Sequence, residues 1–398
     1  MYFDLRTFLR QKAFQATHGA GSAAWLLTAS QLAFYPLIHL GFAADELLYP
    51  AIRNTAVRRP LFIVSCPRSG STLLLHLLAA DPANACHRTS ELLFPSPALR
   101  RYVPQPFFTW ADGVFRRRFA SLDSIHPIRF DHAEEDEFLF LLLGNSGIGS
   151  YLFPYGAALD YLAVERFWEW PLEKRERFAR YYHRCIQRLL WARASTRYVG
   201  KSPHFLGKIA DLWRWYPDAR FVYLIRSPYQ SIPSALSMIT TIWRLSVAGP
   251  PSAQALEASY RALLELARHG DRELRALPEG NVAVLPYTDL VTDVRAAIQG
   301  LYAWLGWPLT ADYWQNLTAA AQNQRQWTSE HRYSAEEFGL SPTRIREDFA
   351  FIFDRYTWAD ETEPTVNRIT MHSSCRSQDA TAGAGLGGNN AEARYRSS

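Results

Sequence analysis

Short apolar runs bounded by turn formers alternate along this chain with stretches whose apolar residues recur every three or four positions. The run from Leu61 to Ser65 is rich in β-branched and aromatic residues and reads as a buried parallel strand. Phe221 to Ile225 and Asn281 to Pro286 read the same way. Leu73, Leu74, Leu77 and Leu78 follow the first run at helical spacing, and Ile209, Leu212 and Trp213 precede the second. Helices are also predicted over Ala255 to Leu277 and Ala296 to Leu305. Strands alternating with helices predict an α/β fold: a mainly parallel central sheet flanked by helices. The region from about residue 92 to 195 reads as an insertion rich in Phe, Tyr, Trp and Pro, with Phe94, Tyr102 and Trp110 early and Tyr151, Phe153 and Trp168 late. Such side chains suit a core or the lining of an apolar pocket. Within it, Leu139 to Leu143 reads as a buried helix, and the acidic set Glu134 to Glu137 suits that helix's first turn.

The N-terminal pattern differs. After Arg6, Arg10 and Lys12, the segment Ala23 to Ala44 is apolar and long enough to span a bilayer, but Gln31, Pro36 and His39 interrupt it. No small-residue cleavage site follows it. The first reading is a helical arm, residues 1–45, lying on a membrane surface or buried in the protein. A transmembrane anchor ranks second and a cleaved signal third. The tail, residues 371–398, is Gly/Ala/Asn-rich from Arg376 and is predicted to be disordered.

The chemistry centres on the turn after the first strand, Pro67-Arg-Ser-Gly-Ser-Thr72. A turn joining a strand to a helix N-terminus aims free backbone N–H groups and the positive end of the helix dipole at one point, where an anion sits readily. Gly70 lets the backbone approach a phosphate, Ser71 and Thr72 add hydroxyl donors, and Arg68 brings a forked cation. Against a Walker A pattern, Gly70 and Thr72 match, but Ser71 replaces the lysine and Ser65 stands at the first glycine. The lysine that reaches the β- and γ-phosphates of ATP is missing, which argues against a P-loop kinase or NTPase. An ordinary strand–turn–helix without ligand is the plain alternative.

A second stretch reads Gly200-Lys-Ser-Pro-His204, then runs through the predicted strand to Arg226-Ser-Pro and on to Ser234. A basic residue thus stands at a strand's carboxyl end, where open α/β sheets bind ligands. The pair of stretches resembles the two cofactor signatures of the sulfotransferases that use 3′-phosphoadenosine 5′-phosphosulfate (PAPS), in particular the bacterial-type branch related to tyrosylprotein and carbohydrate sulfotransferases. The likeness runs over roughly residues 45 to 358. It implies a P-loop-like sulfotransferase domain, residues 46–370, in which the loop Arg68-Ser69-Gly70-Ser71-Thr72 cradles the 5′-phosphosulfate. Arg226 and Ser234, eight residues apart, would hold the 3′-phosphate, and Lys201 the transferring sulfate and leaving oxygen. Ser71 and Ser227 depart from the commoner Thr and Asp of the family.

Sulfuryl transfer puts negative charge on the bridging oxygen and takes a proton from the acceptor hydroxyl, so it needs cations at one end and a base at the other. The resemblance makes Lys201 and Arg68 the cations, Glu91 the first choice of base and His204 the second. Arg332, in the late segment 324–333, falls where the family closes a loop over the nucleotide; a surface loop is the plain alternative. The product is PAP, and the acceptor an alcohol, phenol or sugar hydroxyl on a small molecule, lipid or carbohydrate. The non-enzymatic alternative is a membrane-associated protein that binds PAP without turnover.

Composition adjusts this picture little. A net charge of +5 suits an anionic cofactor as well as nucleic acid, and the basic run Phe115-Arg-Arg-Arg-Phe119 has no nucleic-acid motif beside it. Cys66, Cys86, Cys185 and Cys375 lack disulfide or CxxC spacing, which fits a reducing, cytoplasmic compartment. Eleven scattered histidines give no metal-ligand pattern, so no metal is expected.

Overall fold

The computed structural model describes residues 5–17, 22–118, 128–141, 146, 166–246, 249–317, 334–356, 358–360 and 363–364. Its central sheet has five parallel strands: β1 (Leu61–Ser65), β2 (Asn84–Ala85), β3 (Arg197–Lys201), β4 (Arg220–Ile225) and β5 (Val282–Pro286). Their order is β2-β3-β1-β4-β5. β1, β4 and β5 are the three apolar runs of the sequence. β2 is two residues long and starts on Asn84, too short and too polar to announce itself.

Parallel neighbours cannot be joined by hairpins, so the connections cross the faces of the sheet and clothe both with helices. Alternation along the strands divides the core. Leu61 and Ile63 of β1 join Val199, Val222, Leu224 and Leu285 on one face; Phe62 and Val64 join Tyr198, Phe221 and Tyr223 on the other. Every residue of β1 is buried, which is why Leu61 to Val64 reads as an unbroken apolar run.

The helices, in chain order, begin with α1 (Leu5–Thr17) and α2 (Ser22–Leu48). The loop after β1 opens α3 (Ser71–Ala79), and β2 is followed by α4 (Thr89–Leu93), α5 (Pro97–Tyr102), α6 (Gln105–Arg118) and α7 (Glu137–Leu141). Then come α8 (Leu172–Arg193), α9 (Ile209–Trp215), α10 (Pro228–Ser246), α11 (Ala253–Ala276), α12 (Tyr287–Thr292) and α13 (Val294–Leu305). Leu74, Leu75, Leu77 and Leu78 of α3 pack with Ile298, Leu301 and Leu305 of α13 on the first face. α8 to α11 cover the second.

Helix α2 docks on this body. Ile38 and Phe42 enter the second core layer. Asp45, fully buried, accepts hydrogen bonds of 2.8 Å each from Arg188 Nε, Ser96 Oγ and the Ala98 N–H. Gln31 Nε2 donates to the Leu141 carbonyl at 2.9 Å. Among the described residues no helix is long and apolar enough to cross a membrane. The expected helix over Leu139 to Leu143 begins two residues earlier, at Glu137, so Glu135 and Asp136 lie ahead of it rather than in its first turn. Tyr151, Phe153, Cys375, Arg332 with its segment 324–333, and the tail 371–398 lie outside the described residues.

Candidate active site

The sheet order sets the site. β1 lies between β3 and β4, so the turn after β1 emerges with Lys201, the last residue of β3, on one side and Arg226, directly after β4, on the other. The first of α3's free N–H groups lie in this turn. Gly70 caps the helix with φ at +87°, the left-handed region that favours glycine, and a Cβ there would run into the Tyr287 ring. Arg68 is also left-handed, at φ +67°. Its Nε donates to Ser234 Oγ at 3.1 Å, while Arg226 Nη1 donates to the Arg68 carbonyl at 3.2 Å. The Arg226 guanidinium lies 4.5 Å from the centre of the Tyr287 ring, a cation–π contact, and its Nε bonds Gln230 Oε1 at 2.9 Å. The four residues expected at the two ends of the cofactor, Arg68, Gly70, Arg226 and Ser234, therefore form one contiguous set.

Lys201 completes it from the other flank. Its buried ammonium donates to Thr72 Oγ1 at 3.1 Å and lies 3.3 Å from Glu135 Oε2. A cation thus reaches the loop from a neighbouring strand, where a Walker loop would carry it within its own sequence. Glu135 is held there by the residue after it. The Asp136 N–H bonds the Lys201 carbonyl at 2.9 Å, and the Asp136 carboxylate is buried among Tyr182 Oη (2.7 Å), Tyr198 Oη (2.8 Å) and His87 Nδ1 (2.9 Å). Gly200 makes room for it, since a Cβ at that position would collide with the Asp136 carboxylate. Glu137 accepts from Ser202 Oγ and Lys208 Nζ, each at 3.2 Å. These carboxylates make specific buried contacts, beyond any service to a helix dipole.

Glu91 is placed otherwise than the sequence suggested. It is the third residue of α4, where its carboxylate accepts the Arg88 N–H at 2.8 Å, one half of a capping box. Arg193 Nη2 bridges both its oxygens at 2.9 Å, and Arg100 lies 3.4 Å away. Burial pushes the carboxyl up, but Arg100, Arg193 and the Arg88 N–H together outweigh it and leave Glu91 below the usual carboxylate range. Arg193 ends the helix that leads into the amino end of β3, whereas Lys201 stands at the carboxyl end. An acid so held, and on that side, has the contacts of a structural anchor, whereas the expected role as base calls for a carboxylate beside Lys201. His204 lies in the buried turn Pro203–Gly207, its N–H bonded to Ser202 Oγ at 3.1 Å.

Three buried hydroxyls near the loop, Ser65, Ser69 and Ser227 Oγ, have no hydrogen-bond partner among the described residues. Orphaned buried donors are costly, and an anion with several oxygens would satisfy them. With Arg68, Lys201 and Arg226 around them, they fit the phosphate and sulfate groups of PAPS. Cys66, beside the loop, is buried, and that burial, with a smaller push from the Asp271 charge, raises its thiol to about 12. It is packing rather than chemistry.

Sequence reasoning passed over Tyr287 and read Glu135 as one of an acidic set serving a helix first turn. Tyr287 directly follows β5, so the rule that pointed to Arg226 could have found it. The acidic run 134–137 is visible in the sequence, but which of its acids meets Lys201 is not, because that depends on a contact with β3 across 66 residues.

A profile of the sulfotransferase family matches residues 60–312. The chain is 26% identical over 320 residues to the omega-hydroxy-beta-dihydromenaquinone-9 sulfotransferase Stf3 of Mycobacterium bovis, with 78% of each chain covered. The Mycobacterium tuberculosis protein of that name matches equally. In fold it is similar to the sulfotransferase STF1 of M. tuberculosis H37Rv, with a TM-score of 0.66 at 20% identity, over 82% of this chain and 85% of that one. Sulfotransferase STF9 of Mycobacterium avium gives the same score and identity over 84% and 85%.

Proposed function

We propose that this chain, an enzyme that belongs to the sulfotransferase family, takes its sulfuryl group from PAPS and passes it to a hydroxyl on a small, lipid-like acceptor. The observation that carries the reading is the convergence of Lys201, Arg68 and Arg226 on one helix N-terminus, through Thr72, Ser234 and the Arg68 carbonyl.

When bound, PAPS supplies the activated sulfuryl group. The loop N–H groups with Ser69, Ser71 and Thr72 would hold the 5′-phosphosulfate, and Arg226 with Ser234 the 3′-phosphate. Lys201 and Arg68 would meet the negative charge that builds on the departing oxygen. We assign the base to Glu135, the carboxylate beside Lys201, where it would take the proton of the acceptor hydroxyl; His204 is the second choice. Arg332 would close on the nucleotide from the late segment. The relatives named omega-hydroxy-beta-dihydromenaquinone-9 sulfotransferases support a hydroxylated lipid as acceptor.

The test is calorimetry of PAP, AMP and ATP with magnesium on the full chain. PAP binding that needs the 3′-phosphate and no metal is expected. Preference for ATP with magnesium would overturn the donor assignment and restore the kinase reading.

A further inference from the structure

The outer face of α2 is apolar where a solvated helix is polar. Trp25, Leu32, Leu40 and Leu47 stand exposed at intervals of seven or eight residues, about two turns each, with Ala29, Ala33, Pro36 and Ala43 exposed between them. Leu40 is 68% and Leu47 81% exposed, while the polar Thr28, Gln31 and Asp45 face inward and are buried. The helix turns Thr28, Gln31 and Asp45 inward along with Ile38 and Phe42, and its outer side is an apolar stripe about 33 Å long at 1.5 Å per residue.

Neighbouring elements, packed against the other side of α2, carry exposed aromatics of their own. Gly41 packs closely against Leu99 of α5, beside which Tyr102 is exposed. Phe34 of α2 meets Phe94 edge-on at 5.0 Å, and Phe94 meets Phe107 and Phe108 of α6 at 6.1 and 5.6 Å. Phe107 and Trp110 then project outward, Trp110 being 61% exposed. Of the exposed large hydrophobics among the described residues, all but Leu172 lie on α1, α2, α5 or α6. Patches of this kind mark interaction sites.

Charge names the partner. Arg101 adjoins Tyr102, and Arg117 lies seven residues, or two turns, beyond Trp110 on the same face of α6; both are exposed. Exposed Trp and Tyr bordered by arginines suit the boundary between acyl chains and anionic headgroups. We propose that this face seats the enzyme on an anionic lipid bilayer, with α2 and α6 lying in the interface plane rather than crossing it. The buried Asp45–Arg188 pair fixes α2 to the catalytic body, so docking the stripe would orient the whole domain on the surface.

The inference needs neither the donor nor the acceptor assigned above, and its test reads neither. The full chain is floated with phosphatidylcholine vesicles made with and without phosphatidylglycerol, at low and high salt. Flotation with the anionic vesicles, weakened by salt, is expected. The doubly substituted Leu32→Asp/Leu40→Asp chain should bind about tenfold more weakly or worse with an unchanged melting temperature, since both side chains are exposed. Arg117→Glu should reduce binding to the anionic vesicles only. Absence of flotation with the anionic vesicles overturns the proposal. So does a dimer by light scattering that the Asp substitutions split into monomers without affecting flotation, because the stripe would then cover a second copy.

Discussion

Replacing Glu91 by Gln separates an anchor from a base. Gln can still accept the Arg88 N–H, but it removes the charge that Arg193 bridges at 2.9 Å on both oxygens and that Arg100 faces at 3.4 Å. Breaking a fully buried ion pair costs about 3–5 kcal/mol. The partners are partly solvated, Arg193 at 29% and Arg100 at 17% side-chain exposure, so we expect about 2–3 kcal/mol. Unfolding entropy of about 2.1 cal/mol/K per residue over a chain of this length converts that to a fall of roughly 2–4 °C in melting temperature. The pH dependence has a definite sign. Because the folded-state pKa of Glu91 is depressed, its stabilisation is complete above the unfolded carboxylate value, about 4.3, and is lost as pH falls through the lower folded value. The gap between wild type and Glu91→Gln should therefore be full at neutral pH and narrow in acid. Thermal unfolding across that range, read beside sulfuryl-transfer turnover, is the assay. A variant that melts with wild type at neutral pH yet has lost turnover would refute the anchor role and return the base to Glu91.

Other outcomes follow from the same geometry. Arg226→Ala should weaken PAP by roughly 10- to 150-fold in calorimetry, the equivalent of a charge-assisted hydrogen bond of about 1.5–3 kcal/mol; unchanged affinity would take Arg226 out of the site. Glu135→Gln should spare PAP binding and lower kcat about 10²- to 10⁴-fold, and if His204→Ala does this instead, the proton passes to His204. Burial raises the Cys66 and Cys185 thiols to about 12, so alkylation of the native protein at pH 8, followed by peptide mass spectrometry, should leave both unmodified until the chain is unfolded. Rapid labelling of Cys66 in the native state would show that the loop is more open than described.

The apolar runs at 61–65, 221–225 and 281–286 sufficed to place β1, β4 and β5, because strands covered on both faces must be apolar throughout. The Pro67–Thr72 turn and the basic residue after β4 identified the loop and Arg226, since backbone conformation and helix polarity are local properties. The sequence alone thus determined the fold class, the strand–turn–helix at 65–72 and the basic residues on each side of it. Tertiary structure decided which charges meet. Glu91 and Glu135 are both acids near short helices, and nothing local tells them apart; Arg193 and Arg100 claim the first, and the pairing of Asp136 with the end of β3 delivers the second to Lys201. Likewise the apolar segment 23–44 read as a possible span until Asp45 and Gln31 were seen turned inward and its leucines outward. Burial and electrostatic pairing depend on distances between segments far apart in the chain, and only the packed fold sets those distances.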